Sequence, residues 1–307
     1  MLPKGLICPL LIPFKASGQI DAVGLRQLWE YVNPFVAGIS VGSSFSIEGI
    51  FLSYEDKKAL FKLILGLWEG NKPLYFDITT SDEASMLELA QFSADLLKSQ
   101  FDELVIEVLP LWYRGNRGLP QSLEALHTQI GAVFLVANHP RLVKTKKRAF
   151  KHCNIRTAVF KKLARYDFIK GMIFQGELNR FFNYQRALGG RRNFYFYEAD
   201  EISFLKQPTN DGVVALTANL VPQMWSKLTT KVLNVNEGKK EELNEIFILG
   251  KALKELCVIC QNHPGVLKWA LREMGILSEM FTPFSGIATE GDLNTLRSWL
   301  QKYKNMM

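Results

Sequence analysis

Short runs rich in β-branched and aromatic residues alternate along this chain with longer segments whose apolar positions recur every three or four residues. That alternation is the pattern of a parallel sheet wrapped by helices. Strands are predicted at Leu6 to Phe14, Gly38 to Val41, Leu74 to Ile78, Leu104 to Leu109, Val133 to Asn138, Phe168 to Phe174, Phe194 to Tyr197 and Val213 to Thr217. Between them, Ala22 to Tyr31 sets Leu25, Leu28 and Trp29 on one helical face. Glu55 to Leu67 does the same with Leu60, Phe61 and Ile64, and Ser85 to Leu97 with Met86, Leu89 and Ala90. Eight strands with intervening helices make an α/β chain with the count of a (β/α)8 TIM barrel. After Thr217 the strand signal stops, and Glu241 to Val258, Pro264 to Met274 and Glu290 to Tyr303 read as helices. No linker rich in Gly, Pro or Ser intervenes. The expected organisation is therefore a barrel over residues 1–228 with a C-terminal helical region, residues 229–307, packed onto it.

Composition narrows the class without changing this picture. Of 307 residues, 48% are apolar and 22% charged, the ordinary globular mixture, which excludes disorder and a fibrous repeat. No apolar stretch approaches the length of a membrane span. Residues 1–5 lack the cationic and apolar signature of a secretory signal, so a cytoplasmic protein is expected. The net charge of +7 is mild. Its main cluster, Arg141, Lys144, Lys146, Lys147, Arg148 and Lys151, lacks the alternating aromatics of a nucleic-acid platform and reads as a solvated surface.

Candidate chemistry is sparse. Cys257 and Cys260 form a CxxC inside an apolar helical run, with no second ligand pair for zinc, and read as buried thiols. Glu107 stands mid-strand, where a carboxylate normally pairs with a neighbouring cation, and Asp77 ends another strand. Ser43 and Ser44 come just after a strand. Their hydroxyls either satisfy loop backbone or face the C-terminal strand ends, where barrel active sites collect. His127 and His139 show no partner pattern and read as packing or surface residues.

Several segments, taken in order, resemble the dihydrodipicolinate synthase and N-acetylneuraminate lyase family of class I pyruvate aldolases over nearly the whole chain. Pro9-Leu10-Leu11-Ile12-Pro13-Phe14 with Gly18-Gln19-Ile20-Asp21 resembles the family's first strand and the turn after it. Gly42-Ser43-Ser44 with Ile47-Glu48 and Leu52-Ser53-Tyr54-Glu55 resembles its Gly-Thr-Thr-Gly-Glu loop and the segment after that loop. Asn138-His139-Pro140 sits where the family has Tyr-Asn-x-Pro. Gly212 to Asn219 resembles the eighth strand and its exit, and Asn262-His263-Pro264 through Lys268 and Leu271 to Gly275 the C-terminal helices. The resemblance implies a Schiff-base lysine on strand six that captures pyruvate, and a proton-relay tyrosine at the end of strand five. It also implies a carboxylate-binding arginine just after strand five, no cofactor or metal, and a homodimer or homotetramer.

The chain departs from that pattern where the chemistry is carried. Against Gly-Ile-Lys-Glu on strand six it offers Gly171-Met172-Ile173-Phe174, so Ile173 takes the lysine position. Lys170 stands three places earlier, an odd offset that points to the opposite face of a strand. Ala137 takes the tyrosine position, and Arg141 is a displaced counterpart of the arginine. Trp112 or Tyr113 takes the place of a second tyrosine, and Asp77 falls where the family has glycine. What remains of the site is Ser43, Ser44, Glu48, Trp112, Tyr113, Asn138 and Arg141.

Three readings are open. The first is a catalytically silent member, a pseudoenzyme that binds a small keto acid or other anion at its barrel mouth, or a partner at its surface. The second is an active pyruvate-dependent lyase or synthase, of the 4-hydroxy-tetrahydrodipicolinate synthase kind, using Lys170 or another lysine. The third is different chemistry on the same scaffold, with Asp77 and Glu107 as acid and base.

Overall fold

The structure, a computed structural model, describes residues 2–80, 82–97, 105–110, 117–146, 152–208, 211–234, 240–260, 263–283 and 288–306. In chain order the barrel elements begin with β1 Gly5–Pro9, α1 Ala22–Val32, β2 Gly38–Val41, α2 Tyr54–Leu65, β3 Leu74–Asp77, α3 Glu83–Leu97 and β4 Val105–Val108. They continue with α4 Leu119–Ile130, β5 Val133–Asn138, α5 Pro140–Lys146, α6 Thr157–Leu163, β6 Ile169–Phe174 and α7 Leu178–Leu188. β7 Tyr195–Glu198, α8 Glu201–Lys206, β8 Gly212–Val214 and α9 Pro222–Leu233 complete the circuit. Three helices come after it: α10 Lys240–Cys260, α11 Pro264–Glu273 and α12 Glu290–Tyr303. Each strand pairs in parallel with the next, and β8 closes on β1. The architecture is a (β/α)8 barrel.

The period of two explains the core. Successive side chains on a strand face opposite ways, and a parallel sheet covered by helices is apolar on both faces. Odd-numbered residues Tyr75, Val105, Leu135, Ala137, Ile173, Tyr195 and Tyr197 fill the lumen. Even-numbered Phe76, Ile106, Val108, Phe134, Val136, Met172, Phe174 and Phe196 pack outward under the helices. At the seam the strands approach so closely that a Cβ added at Gly212 would lie 2.0 Å from the carbonyl oxygen of Gly5. Only glycine fits there.

β1 ends at Pro9, earlier than the apolar run to Phe14 predicts. Pro9 and Pro13 have no N–H to give a ladder, and the backbone between them finds side-chain partners instead. Leu11 N–H donates to Asn219 Oδ1 (3.0 Å) and Ile12 N–H to Glu48 Oε2 (3.2 Å). Likewise β8 stops at Val214, and Leu216–Asn219 turns into a short 3₁₀ segment. The remaining strands match their predicted cores within a residue or so at each end.

α9 lies against β1 and β8, and α10 packs on α8, α9 and α12. Trp299 Nε1 of α12 donates to the Ala252 carbonyl at 3.0 Å, and Tyr303 OH to Glu255 at 2.9 Å. Cys257 and Cys260 are buried on α10. Among the described residues no helix is long and apolar enough to cross a membrane.

Candidate active-site mouth

The C-terminal strand ends of the barrel, where sites on this fold gather, enclose a cavity of about 180 Å³ lined by Ser44, Phe45, His139, Arg141, Gln175 and Glu201, with Ile47 at its edge. A larger groove of about 620 Å³ runs outward between α8 and α10, lined by Asp200, Ser203, Lys206 and Cys257. The two share Arg141, Gln175, Ala199 and Glu201.

The loop after β2 is tightly built. Gly49 is pressed onto Gly42, whose carbonyl oxygen would lie 2.1 Å from an added Cβ. Ile47, between two 3₁₀ turns, adopts φ +68° and ψ −46°, a strained backbone for a β-branched residue. Such strain is held only where surrounding contacts over-determine it, and here it places Ile47 on the cavity wall.

The two serines part company. Ser43 Oγ donates to Glu107 Oε1 (3.0 Å) and accepts from Phe45 N–H, so it faces down into the lumen. Ser44 Oγ is buried without a hydrogen-bond partner among the described residues and lines the cavity. Gln175, one residue past β6, lines the same cavity and has a buried Oε1 that likewise lacks a partner among the described residues. His139 stacks on Phe45 at 5.1 Å. Its Nδ1 accepts from Leu142 N–H (3.2 Å), which leaves the ring proton on Nε2. Burial pushes its pKa down to about 4, so the ring is neutral. Arg141 is exposed at the rim, 3.9 Å from Asp200.

Glu201 is buried, with Thr217 N–H and Oγ1 both donating to its Oε1 at 2.7 and 2.8 Å. Trp225 Nε1 in turn donates to Thr217 Oγ1 (2.8 Å), fixing that hydroxyl. Burial raises the Glu201 pKa, and the neighbouring Asp200 adds to the rise.

Below the cavity lies a sealed polar layer. Glu107 accepts from the hydroxyls of Ser40 and Ser43, and Asp77 from the backbone N–H of Ser44 and Thr79. Burial, then the nearby Asp77, holds Glu107 well above the usual carboxylate range. Lys57 of α2 is wholly buried beside them, its Nζ donating to the carbonyls of Gly42, Asp77 and Thr79. Burial lowers its pKa, opposed by the two carboxyls. Among the described residues Glu107 thus meets two hydroxyls and no cation in direct contact, and neither carboxylate lines the mouth.

Of the remaining candidates, Ile173 faces the lumen level with Ala137 on one side and Tyr197 on the other. Lys170 lies at the opposite end of β6, half-buried, where the β5–β6 register shifts between Phe134 and Leu135. Asn138 works as a clamp. Its amide donates to Asn154 Oδ1 and the Gln175 carbonyl, and its Oδ1 accepts from Ile155 N–H (2.9 Å). Glu48 accepts from Ile12 N–H and from Lys268 Nζ of α11, 2.5 Å away. Trp112 and Tyr113 lie outside the described residues, as does the basic segment from 147 to 151. Gln175 and Glu201 at the mouth, with Lys57 behind it, escaped the reading of the sequence, and His139, read there as a packing or surface residue, lines the mouth. Gln175 and Glu201 carry one signal, since each comes just after the C-terminal end of a barrel strand.

The profile of the Dihydrodipicolinate synthetase family matches residues 2–302. The chain belongs to that family. Relatives within the synthetase family include the 4-hydroxy-tetrahydrodipicolinate synthase of Halorhodospira halophila, 22% identical over 94% of this chain and 93% of its own. That of Buchnera aphidicola subsp. Baizongia pistaciae is 24% identical over 90% and 89%. Among solved structures, N-acetylneuraminate lyase from Fusobacterium nucleatum superposes with a TM-score of 0.81 at 17% identity, covering 99% of both chains. The chloride-inhibited dihydrodipicolinate synthase of Acinetobacter baumannii, complexed with pyruvate, gives 0.81 at 20% identity, covering 98% of this chain and 99% of its own. These likenesses establish that the synthetase-family chain has the family's fold.

Proposed function

We propose that this family member binds a small anion, a carboxylate above all, in its barrel mouth without forming the imine of a pyruvate aldolase. One observation carries the reading. The lumen position between Ala137 and Tyr197 is the apolar Ile173, while the one lysine on β6, Lys170, sits at the far end of the strand beside a register shift. An aldolase of this class needs an unprotonated amine at the substrate carbonyl, and the two lysines buried among the described residues are both engaged elsewhere. Lys57 Nζ has three carbonyl acceptors, and Lys268 Nζ has Glu48 with the carbonyls of Ile12 and Phe281. Ala137 removes the proton-relay phenol as well. Anion binding draws on Arg141 at the rim, the neutral His139 Nε2–H and the unpartnered Ser44 hydroxyl, while the Gln175 Oε1, an acceptor, suits a hydroxyl carried by the ligand.

The names of the relatives favour a second reading, an active pyruvate-dependent synthase or lyase that uses Lys170 or another lysine. Borohydride trapping with pyruvate and longer 2-keto acids, then intact mass and peptide mapping, separates the two. The expected result is no adduct beside a control aldolase that traps fully. An adduct on Lys170 would overturn the proposal. A cytoplasmic homodimer or homotetramer accompanies the first reading, checked by sedimentation.

A further inference from the structure

We infer that Glu201 sets the affinity of the mouth for a small carboxylate by taking up a proton as the ligand binds. This deepens the anion-site reading and rests on it. The geometry engages one oxygen firmly. Glu201 Oε1 is occupied by both Thr217 donors, and Thr217 is itself fixed by Trp225. The Cys257 thiol also meets the Glu201 carboxyl, which lines both the cavity and the groove. A carboxylate ligand reaching Ser44 therefore shares a small space with that carboxyl. Two anionic carboxylates in a poorly solvated site repel, and one of them is stabilised by a proton. A protonated Glu201 carboxyl becomes a donor to the ligand.

Among the described residues, few charges stand around Glu201. From α5 it faces Arg141, which is partly engaged by Asp200. From the end of β5 it faces the neutral His139, and along its own helix α8 the groove continues to Lys206. From α10 and β1 it faces Cys257, Cys260 and Cys8, whose thiols are all pushed up and stay neutral. Among the described residues Arg141 is the one cation lining the inner cavity, so the state of Glu201 weighs heavily in whether the site favours an anion.

Linkage then fixes the sign. Between the Glu201 pKa of the free protein and its higher value in the complex, each unit rise in pH weakens carboxylate binding about tenfold, and binding takes up close to one proton. Below that range, affinity is flat and no proton is taken up. Titration calorimetry with lactate and with pyruvate, in two buffers of different ionisation enthalpy from pH 5 to 9, reads the uptake directly. Glu201→Gln keeps an acceptor for Thr217 and places an N–H where the acid proton would be. It is expected to bind lactate with no proton uptake and no pH slope. Lactate binding by the wild type with no uptake anywhere in the range would overturn the inference and leave the anion site standing, as would undiminished uptake in the variant. Binding of neither probe at any pH would overturn both.

Discussion

Glu107, Asp77 and Lys57 crowd into the barrel interior, where the neighbouring lumen positions are apolar or aromatic. The folded chain keeps a proton on Glu107 that the unfolded chain releases at about pH 4.3. Its contribution to stability is therefore full below that pH and is lost as pH rises toward the folded value, at most about 1.4 kcal/mol per unit. Glu107→Gln resembles the protonated acid in shape. The difference in urea-unfolding free energy between wild type and this variant should shift steadily in the variant's favour from pH 5 to 8. A constant difference would mean that Glu107 does not hold its proton. Lys57 is the opposite case, a cation whose three donors all reach backbone carbonyls at the ends of β2 and β3. Lys57→Met leaves those carbonyls and Asp77 without it, and should cost about 3–5 kcal/mol, measured by the same unfolding experiment. A loss below about 1 kcal/mol would mean that water replaces the ammonium.

At the scale of elements, α11 and the mouth are joined by the Lys268–Glu48 pair, which also meets the Ile12 carbonyl and the face of Phe14. Burial pushes Glu48 up and Lys268 down, each opposed by the other. Lys268→Met strands a buried carboxylate and should cost about 3–5 kcal/mol, whereas Glu48→Gln with Lys268→Met should recover most of it. Additive losses in the double variant would rule out a direct coupling. These elements also mark how far the sequence could be read. β2, β5 and α12 were legible to the residue, because a short apolar run in the strands and spaced apolar positions in the helix survive intact. β1 and β8 were over-extended, since Leu10 to Pro13 and Leu216 to Thr217 are as apolar or as buried as strand residues. What ends those strands is a proline without a donor or a side chain from a distant segment. The site was legible only in part. Ser44 and Arg141 line the mouth, but Ser43, Glu48 and Asn138 spend their hydrogen bonds on the protein itself. That division depends on partners such as Glu107, Lys268 and Asn154, which no spacing along the chain reveals.

For the molecule as a whole, closure of the ring rests on the contact of β8 with β1. Gly212→Ala would drive a methyl group into the Gly5 carbonyl, which β1 can escape only by moving off β8. A loss of about 1–3 kcal/mol or more is expected, with hydrogen-exchange protection falling first in β1 and β8. Unchanged protection there would show that the seam has room to spare. The link between α11 and the mouth has a consequence in time as well as in energy. A chain leaves the ribosome from its N-terminal end, and domains tend to fold as they emerge. Strands β1 and β2 can pair long before residue 268 has been made, yet Ile12 and Glu48 must wait for it. A nascent chain stalled short of that lysine would carry a nearly complete barrel whose rim is still unset, and the first loop to be synthesised would be among the last to come to rest.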